Sequence, residues 1–191
     1  IAIDQGTTST RAIVFDAALN CVYRVQRASE VIDASPYPQL DVSGLWAWML
    51  TAMREAAAHF SIGRLNMSAH GATAALVDPE CGEDGLVLPV LDYEFEAPAR
   101  DVGYESLRPA FAETLSPALP AGLNLGRQLW WQQRHFPRSF ARAAAILTYP
   151  QYWTWRLSGA LVGERSSLGC HTDLWVPGAD DYSSLVGQQG W

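Results

Sequence analysis

Lysine is absent from the 191 residues, and all 13 basic side chains are arginine. A P-loop needs its lysine, a protein kinase its strand lysine and a pyridoxal-phosphate enzyme its Schiff-base lysine, so this chain carries none of those three chemistries. Positive charge is also in deficit. With 20 acidic residues the formal net charge is −7, which argues against non-specific binding to nucleic acid or anionic membrane. Cysteine is scarce: Cys21, Cys81 and Cys170 are odd in number and widely spaced. They read as reduced thiols of a cytoplasmic protein, without a disulfide framework or zinc spacing. No apolar run reaches the ~18 residues of a membrane span, and no basic leader with a short apolar core opens the chain, so we expect neither a membrane anchor nor a signal peptide. Asn66-Met67-Ser68 matches a glycosylation sequon, which without a secretion signal we take as accidental. The sequence opens at Ile1, already inside a strand-like run, and closes at Trp191, and we expect it to be part of a longer protein. What is present is an ordinary globular composition, 49% apolar and 17% charged, enough for one good core or two small ones.

Ile1 to Asp16 reads as strand, polar Gly/Thr/Ser turn, strand. A second turn leads to Cys21–Val25, which alternates with period two, so an antiparallel three-strand meander is expected. A Pro/Ser/Asp/Gly-rich loop covers 33–44. Ser43 is placed to cap a helix whose face carries Trp46, Met49, Leu50, Met53, Ala57 and Phe60. Short strands are expected at 65–69, at Leu76-Val77 and at 86–91, the last an edge or bulged strand because of Pro89. Helices are expected near 98–113, at 125–136 and at 139–145. A strand at 146–148 follows, then a helix with Pro150 in its first turn and Gly159 as its stop. Strands first, then strands mixed with helices, give an α/β or α+β class.

The stretch Asp4-Gln5-Gly6-Thr7-Thr8-Ser9-Thr10-Arg11 is the most informative. Gly6 lets backbone N–H groups approach an anion, Thr7 and Thr8 add hydroxyl donors, Arg11 neutralises charge and Asp4 can hold Mg2+ directly or through water. The plain alternative, which composition alone favours, is a polar hairpin turn with a capping aspartate. His70 ends a strand beside Gly71, where it could bond a ligand hydroxyl or simply be a satisfied core histidine. Asp92 and Glu94 are read on one side of a strand, with Tyr93 pointing away, either bracketing the hydroxyls of a ligand or forming a solvated face. Among eight tryptophans, those at helical spacing read as core, and Trp130 is the one candidate for a cleft wall. Asn124, just before the helix at 125–136, is a further polar candidate. Cys170-His171 lacks further ligands at zinc spacing.

Asp4 to Ala12 followed by Val14-Phe15-Asp16 resembles the first phosphate motif of the FGGY carbohydrate kinases. Four further segments fall in the same order as in that family: Ser68–Thr73, Leu88–Glu94, Gly126–Trp131, and Tyr149–Gly159 with Gly163–Leu174. The departures are Ser68-Ala69 where the family carries Gly-Gln, Leu91 or Asp92 at its tryptophan, and Arg127 or Gln128 at its helix lysine. They bear on the sugar more than on the reaction. The resemblance implies an α/β, ribonuclease-H-like domain of the actin/hexokinase/Hsp70 superfamily, a mixed sheet flanked by helices, with residues 1–191 as the N-terminal domain. It implies ATP and Mg2+, with Asp4 for the metal and Gly6, Thr7, Thr8 and Arg11 for the phosphates. His70, Asp92, Glu94 and Asn124 would lie toward the sugar. The proton-accepting aspartate and the adenosine glycines would lie beyond this chain. The expected partner is a small sugar, a ketose or polyol, with neither nucleic acid nor membrane, and a homodimer as one compatible assembly. Rival readings are a nucleotide-driven binding module of the same superfamily, a non-catalytic kinase relative, and a ribonuclease-H-like nuclease, against which the acidic charge and Thr-rich turn speak.

Overall fold

The order of short apolar runs and polar turns is reproduced in a computed structural model that describes residues 1–191. The chain divides into two compact units, residues 1–32 with 40–70, and residues 33–39 with 71–191. The named elements up to residue 69 are β1 (Ala2–Gln5), β2 (Ser9–Phe15), β3 (Cys21–Ala28), β4 (Val31–Ile32), β5 (Gln39–Leu40), α1 (Val42–His59) and β6 (Asn66–Ala69).

In the first unit β1, β2 and β3 form the expected antiparallel meander, and β6 returns parallel beside β1, giving a mixed sheet in the order β3-β2-β1-β6. Ile3, Ala12 and Val14 are buried from the sheet, and Val42, Leu45, Met49, Ala52 and Ala56 from α1. The buried stripe of α1 is therefore shifted from the expected one, which it shares only at Met49. Trp46, Leu50, Met53 and Phe60 are half-buried flanks and Ala57 is exposed. The bulky residues dominate the periodicity, whereas the small Ala52 and Ala56 occupy the buried line. Ser43 does not cap the helix. Asp41 does, its carboxylate accepting from the Gly44 N–H at 2.9 Å. A Cβ at Gly44 would collide with that carboxylate.

The second unit contains β7 (Ala74–Val77), α2 (Ala97–Arg100), a 3₁₀ turn (Val102–Ser106), α3 (Phe111–Thr114), α4 (Leu125–His135) and α5 (Pro137–Phe140). After these come β8 (Ala145–Thr148), α6 (Tyr149–Ser158), α7 (Arg165–Leu168), β9 (Trp175–Val176), β10 (Asp181–Tyr182) and α8 (Ser184–Gln189). β7 and β8 pair antiparallel, as do β9 and β10. The first eight residues of α4, Leu125 to Gln132, are all buried, so this helix is the axis of the unit. Around it pack Tyr37, Leu76, Leu88, Leu91, Tyr104, Phe140, Leu174 and Leu185. Trp130 belongs to this core, 6% exposed with its ring 5.9 Å from that of Tyr104, and is not a cleft wall.

Three expected elements are corrected. Residues 86–91 make only isolated bridges, Val77 to Leu86 and Gln39 to Leu91. Pro89 has no N–H for a ladder, and its carbonyl accepts instead from the Tyr37 hydroxyl at 2.7 Å. The helix near 98–113 is broken into α2, the 3₁₀ turn and α3: Asp101, in extended conformation with its carboxylate accepting from the Gly103 N–H, makes the first break, and Pro109 disfavours helix at the second. The helix at 139–145 starts earlier, with Pro137 in its first turn, and ends at Phe140. α6 is as expected, entering through Pro150 and stopping at Gly159 in the left-handed region, φ +76°.

Asp173 anchors the second unit. It is fully buried, and Arg108 grips its carboxylate from Nε and Nη2 at 3.1 Å each. The Tyr104 hydroxyl donates to the same group at 2.8 Å. Burial, together with this neighbouring carboxylate, pushes the Tyr104 phenol far above its ordinary value. No helix of the chain is long and apolar enough to cross a membrane.

Candidate phosphate hairpin and polar clefts

β1 delivers the chain into a turn that closes when the Gly6 N–H donates to the Ser9 carbonyl at 3.0 Å. The carbonyls of this turn are tied back into the protein. Gly6 O accepts from Gln5 Nε2 at 3.1 Å and from Ser29 Oγ at 2.9 Å, and Thr8 O accepts from the Ser29 N–H at 3.0 Å. Thr7 and Thr8 are exposed at the tip, and their N–H groups make no hydrogen bond within the protein. Two free amides and two hydroxyls thus stand together at one turn, a donor set suited to an anion. A Cβ at Gly6 would come to 3.2 Å from the Ser9 carbonyl, so a side chain there would press on the turn.

Asp4 and Arg11 face one another in the β1–β2 register, flanked by Ser68 on β6 and Gln26 on β3. Arg11 Nη1 lies 3.2 Å from Asp4 Oδ2, with the side chains 35% and 47% exposed. A pair this open is worth at most about 1 kcal/mol, so it does not lock either group away from a ligand. The other Asp4 carboxylate oxygen makes no hydrogen bond within the protein, so this half-exposed carboxylate beside a free-amide turn fits Mg2+ held through water.

His70 follows β6, and its N–H donates to the Gln5 carbonyl at 3.0 Å. The parallel strands β1 and β6 therefore end side by side, which places His70 next to the hairpin turn, at the end of a sheet where ligands gather. Burial lowers the His70 imidazole to about 4, which keeps it neutral near pH 7, able to donate from one nitrogen and accept at the other.

In the second unit Asp92 and Glu94 do not alternate along a strand. They lie in a turn in which the Glu94 N–H donates to Asp92 Oδ1 at 3.1 Å and the Phe95 N–H to the Asp92 carbonyl at 3.0 Å. Asp92 is buried and Glu94 exposed. Both line an open cleft of about 350 Å3 together with Pro38, Phe95, Glu96, Ala97 and Arg100. Asn124 is fully buried, with Oδ1 accepting from the Leu119 N–H and Nδ2 donating to the Pro117 and His171 carbonyls. Both of its N–H donors are consumed, so its expected place on a sugar-facing surface gives way to holding the loop before α4. A separate cavity of about 340 Å3, among Leu129, Ile146, Leu147, Leu161, Leu174 and Val186, is apolar, with Thr148 and Tyr182 as its polar members.

Sequence reasoning missed two residues that shape these places. Gln128 is buried and donates from Nε2 to the Ala72 carbonyl at 2.7 Å and to that of Gly122. Its Oε1 lies 3.0 Å from the Thr73 hydroxyl, which is 2.9 Å from the Leu91 carbonyl and can donate to either. Gln128 thereby fixes the segment leading into Asp92. Ser29 ties down the hairpin. Neither carries a local signal, because each acts on a distant part of the chain.

No protein-family model matches the chain. A glycerol kinase from Methylorubrum extorquens (strain PA1) is 31% identical over 173 residues, covering 83% of this chain and 34% of that protein. A carbohydrate kinase from Novosphingobium aromaticivorans superposes with TM-score 0.87 at 38% identity, over 100% of this chain and 40% of that one. A xyloylose kinase from Brucella ovis superposes with TM-score 0.81 at 25% identity, over 98% and 40%. A Plasmodium falciparum glycerol kinase solved with ADP shares the fold, with TM-score 0.74 at 15% identity over 97% and 39%. The chain spans 34% of that first relative's length and 40% of the first structural neighbour's. The neighbours are sugar kinases of the actin/hexokinase/Hsp70 fold, and the chain is mixed α/β with a mixed sheet. Glycerol kinases in sequence, and carbohydrate, xylulose and glycerol kinases in structure, thus cover this chain, which bears out its likeness to the FGGY carbohydrate kinases and is consistent with an N-terminal domain of that family.

Proposed function

We propose that this chain is the N-terminal domain of an ATP-dependent carbohydrate kinase, that it holds the phosphates of the nucleotide, and that the protein transfers the γ-phosphoryl group to a hydroxyl of a ketose or polyol. The observation that carries the reading is the hairpin at Gly6–Thr8, with the Gly6 and Thr8 carbonyls tied into the protein and the Thr7 and Thr8 amides unbonded within it, in a chain similar to sugar kinases. We read the sheet of the first unit as a ribonuclease-H-like core, and the protein as cytoplasmic. The relatives favour this over a binding module without transferase activity.

The amides and hydroxyls of Thr7 and Thr8 would hold the β/γ-phosphates, with Arg11 compensating charge that spreads over the phosphoryl oxygens in the transition state. Asp4 would hold Mg2+, which when bound neutralises phosphate charge. Neutral His70 would exchange one hydrogen bond with a sugar hydroxyl and orient it. Asp92 and Glu94 would accept from hydroxyls on the second unit. The attacking hydroxyl oxygen bonds to the γ-phosphorus as the bond to the β-bridging oxygen breaks. We expect the hydroxyl proton to pass to an aspartate outside these 191 residues, so this segment alone would be inactive. Holding the reactants in line accounts for most of the work.

The test is ADP release by the full-length protein from Mg-ATP, over a panel of pentuloses, deoxyhexuloses and polyols. Stimulation by at least one is expected. A folded protein that no panel member stimulates would overturn the reading.

A further inference from the structure

Ser29 stands one residue beyond the last β2–β3 pair, Ser9 with Ala28, yet it makes two hydrogen bonds to the hairpin turn. Its hydroxyl donates to Gly6 O at 2.9 Å and its N–H to Thr8 O at 3.0 Å. A peptide unit is planar, so the Gly6 carbonyl and the Thr7 N–H turn together. Pulling the Gly6 carbonyl inward therefore points the Thr7 N–H outward. Gly6 has no Cβ to resist rotation of that plane, so the orientation depends on the partners of its carbonyl, Gln5 Nε2 and Ser29 Oγ.

The chain on both sides of Ser29 is held in turn. Arg27 Nη2 bonds Asp41 Oδ2 at 2.5 Å and Glu30 Oε2 at 2.9 Å, and the Asp41 N–H donates to the Glu30 carbonyl at 3.2 Å. Asp41 is the cap of α1. The line α1 cap, Arg27, Ser29, Gly6 is thus a brace from a long helix to the turn.

We propose that Ser29 is a positioning residue that holds the Thr7 N–H ready for a nucleotide phosphate. This rests on the kinase reading above, in which the hairpin binds polyphosphate. Ser29 touches no substrate. It acts through the Gly6–Thr7 peptide, and losing its hydroxyl leaves the ladder and the sugar-side groups in place.

The test uses the full-length protein and Mg-ADP. Titration calorimetry should show Mg-ADP bound about five- to tenfold more weakly by Ser29→Ala, the size expected for one hydrogen bond. KM for ATP should rise in parallel, with KM for the sugar unchanged. Ser29→Thr, which keeps the hydroxyl, should restore both. Equal Mg-ADP affinity in wild type and Ser29→Ala would overturn the positioning role while leaving the kinase reading intact. So would a loss that falls equally on sugar and nucleotide and tracks a lowered melting temperature. A folded wild type that binds no Mg-ADP would instead overturn the kinase reading, and the role of Ser29 with it.

Discussion

Asp173→Asn isolates the worth of one buried charge. Asp173 is fully buried at φ +66°, and asparagine tolerates that backbone about as well as aspartate. The amide oxygen can still accept from the Tyr104 hydroxyl, and the bonds made by the Asp173 backbone, from Ser183 Oγ to its carbonyl and from its N–H to Ser116 Oγ, need no carboxylate. What disappears is the charge opposite Arg108, whose Nη2 keeps the Ser116 carbonyl but whose side chain is 13% exposed and cannot turn fully to water. Removing one member of a buried pair costs about 3–5 kcal/mol, and the partial exposure of Arg108 puts the expectation near 3 kcal/mol. For a domain of this size that is a fall in Tm of roughly 6–12 °C. Thermal unfolding of the full-length protein, followed by tryptophan fluorescence, reads it directly. Arg108→Met added to Asp173→Asn should recover part of the loss, because it removes the uncompensated guanidinium, while the Ser116 carbonyl loses its Arg108 donor. A single variant within about 2 °C of wild type, or a double variant no better than the single, would refute the reasoning.

Asp4→Ala and Arg11→Ala should each lower kcat by about 10²-fold with little change in KM for the sugar, because the charge they meet is redistributed in the transition state. His70→Ala should raise the sugar KM about three- to tenfold and leave that for ATP unchanged, as expected for one hydrogen bond to a neutral hydroxyl; lost stability with unchanged sugar kinetics would make the histidine structural. The same residue sets a pH dependence. Its folded value of about 4 lies below the ordinary 6.5, so the unfolded chain binds more protons between them. Its contribution is fully present above about pH 6.5 and lost as pH falls through 4, by roughly 2–3 kcal/mol, and His70→Gln should flatten this part of the melting-temperature profile. Asp41→Ala should cost about 2–3 kcal/mol by removing both the cap of α1 and the partner of Arg27, and Asp41→Asn, which keeps the cap, about half as much.

What was legible in the sequence was local. The β1–β2 hairpin is written in adjacent residues, and α6 carries its start at Pro150 and its stop at Gly159, so each could be read from a short window. The apolar run at 86–91 could not. A continuous run is compatible with a strand or with any buried segment. Here Tyr37, 52 residues away, holds the Pro89 carbonyl where a ladder would have been. The buried face of α1 was misplaced for a related reason. Large side chains advertise a stripe, but burial follows close approach, which Ala52 and Ala56 permit and Trp46 does not.

The same distinction separates the parts of the candidate site. Asp4, Gly6, Thr7, Thr8 and Arg11 are neighbours in sequence, and folding only closes a turn among them. The residues that fix the segments around these places are not neighbours. Ser29 reaches Gly6 across 23 positions, and Gln128 reaches Ala72 across 56, each through a bond to a backbone carbonyl that no side-chain pattern announces. Asn124 shows the converse. A polar residue at the head of a helix invites a functional role, but its donors are spent on the carbonyls of Pro117 and His171. A polar group serves a ligand only if the fold leaves it a free donor or acceptor, and that depends on the partners supplied by distant segments. The Thr7 amide meets this condition because Ser29 and Gln5 occupy the Gly6 carbonyl that shares its peptide plane, and the Thr8 amide likewise makes no hydrogen bond within the protein. On the proposed reading, phosphate binding at the hairpin would therefore depend on Ser29, and on the Arg27–Asp41 pair behind it, as much as on the Gly/Thr motif itself.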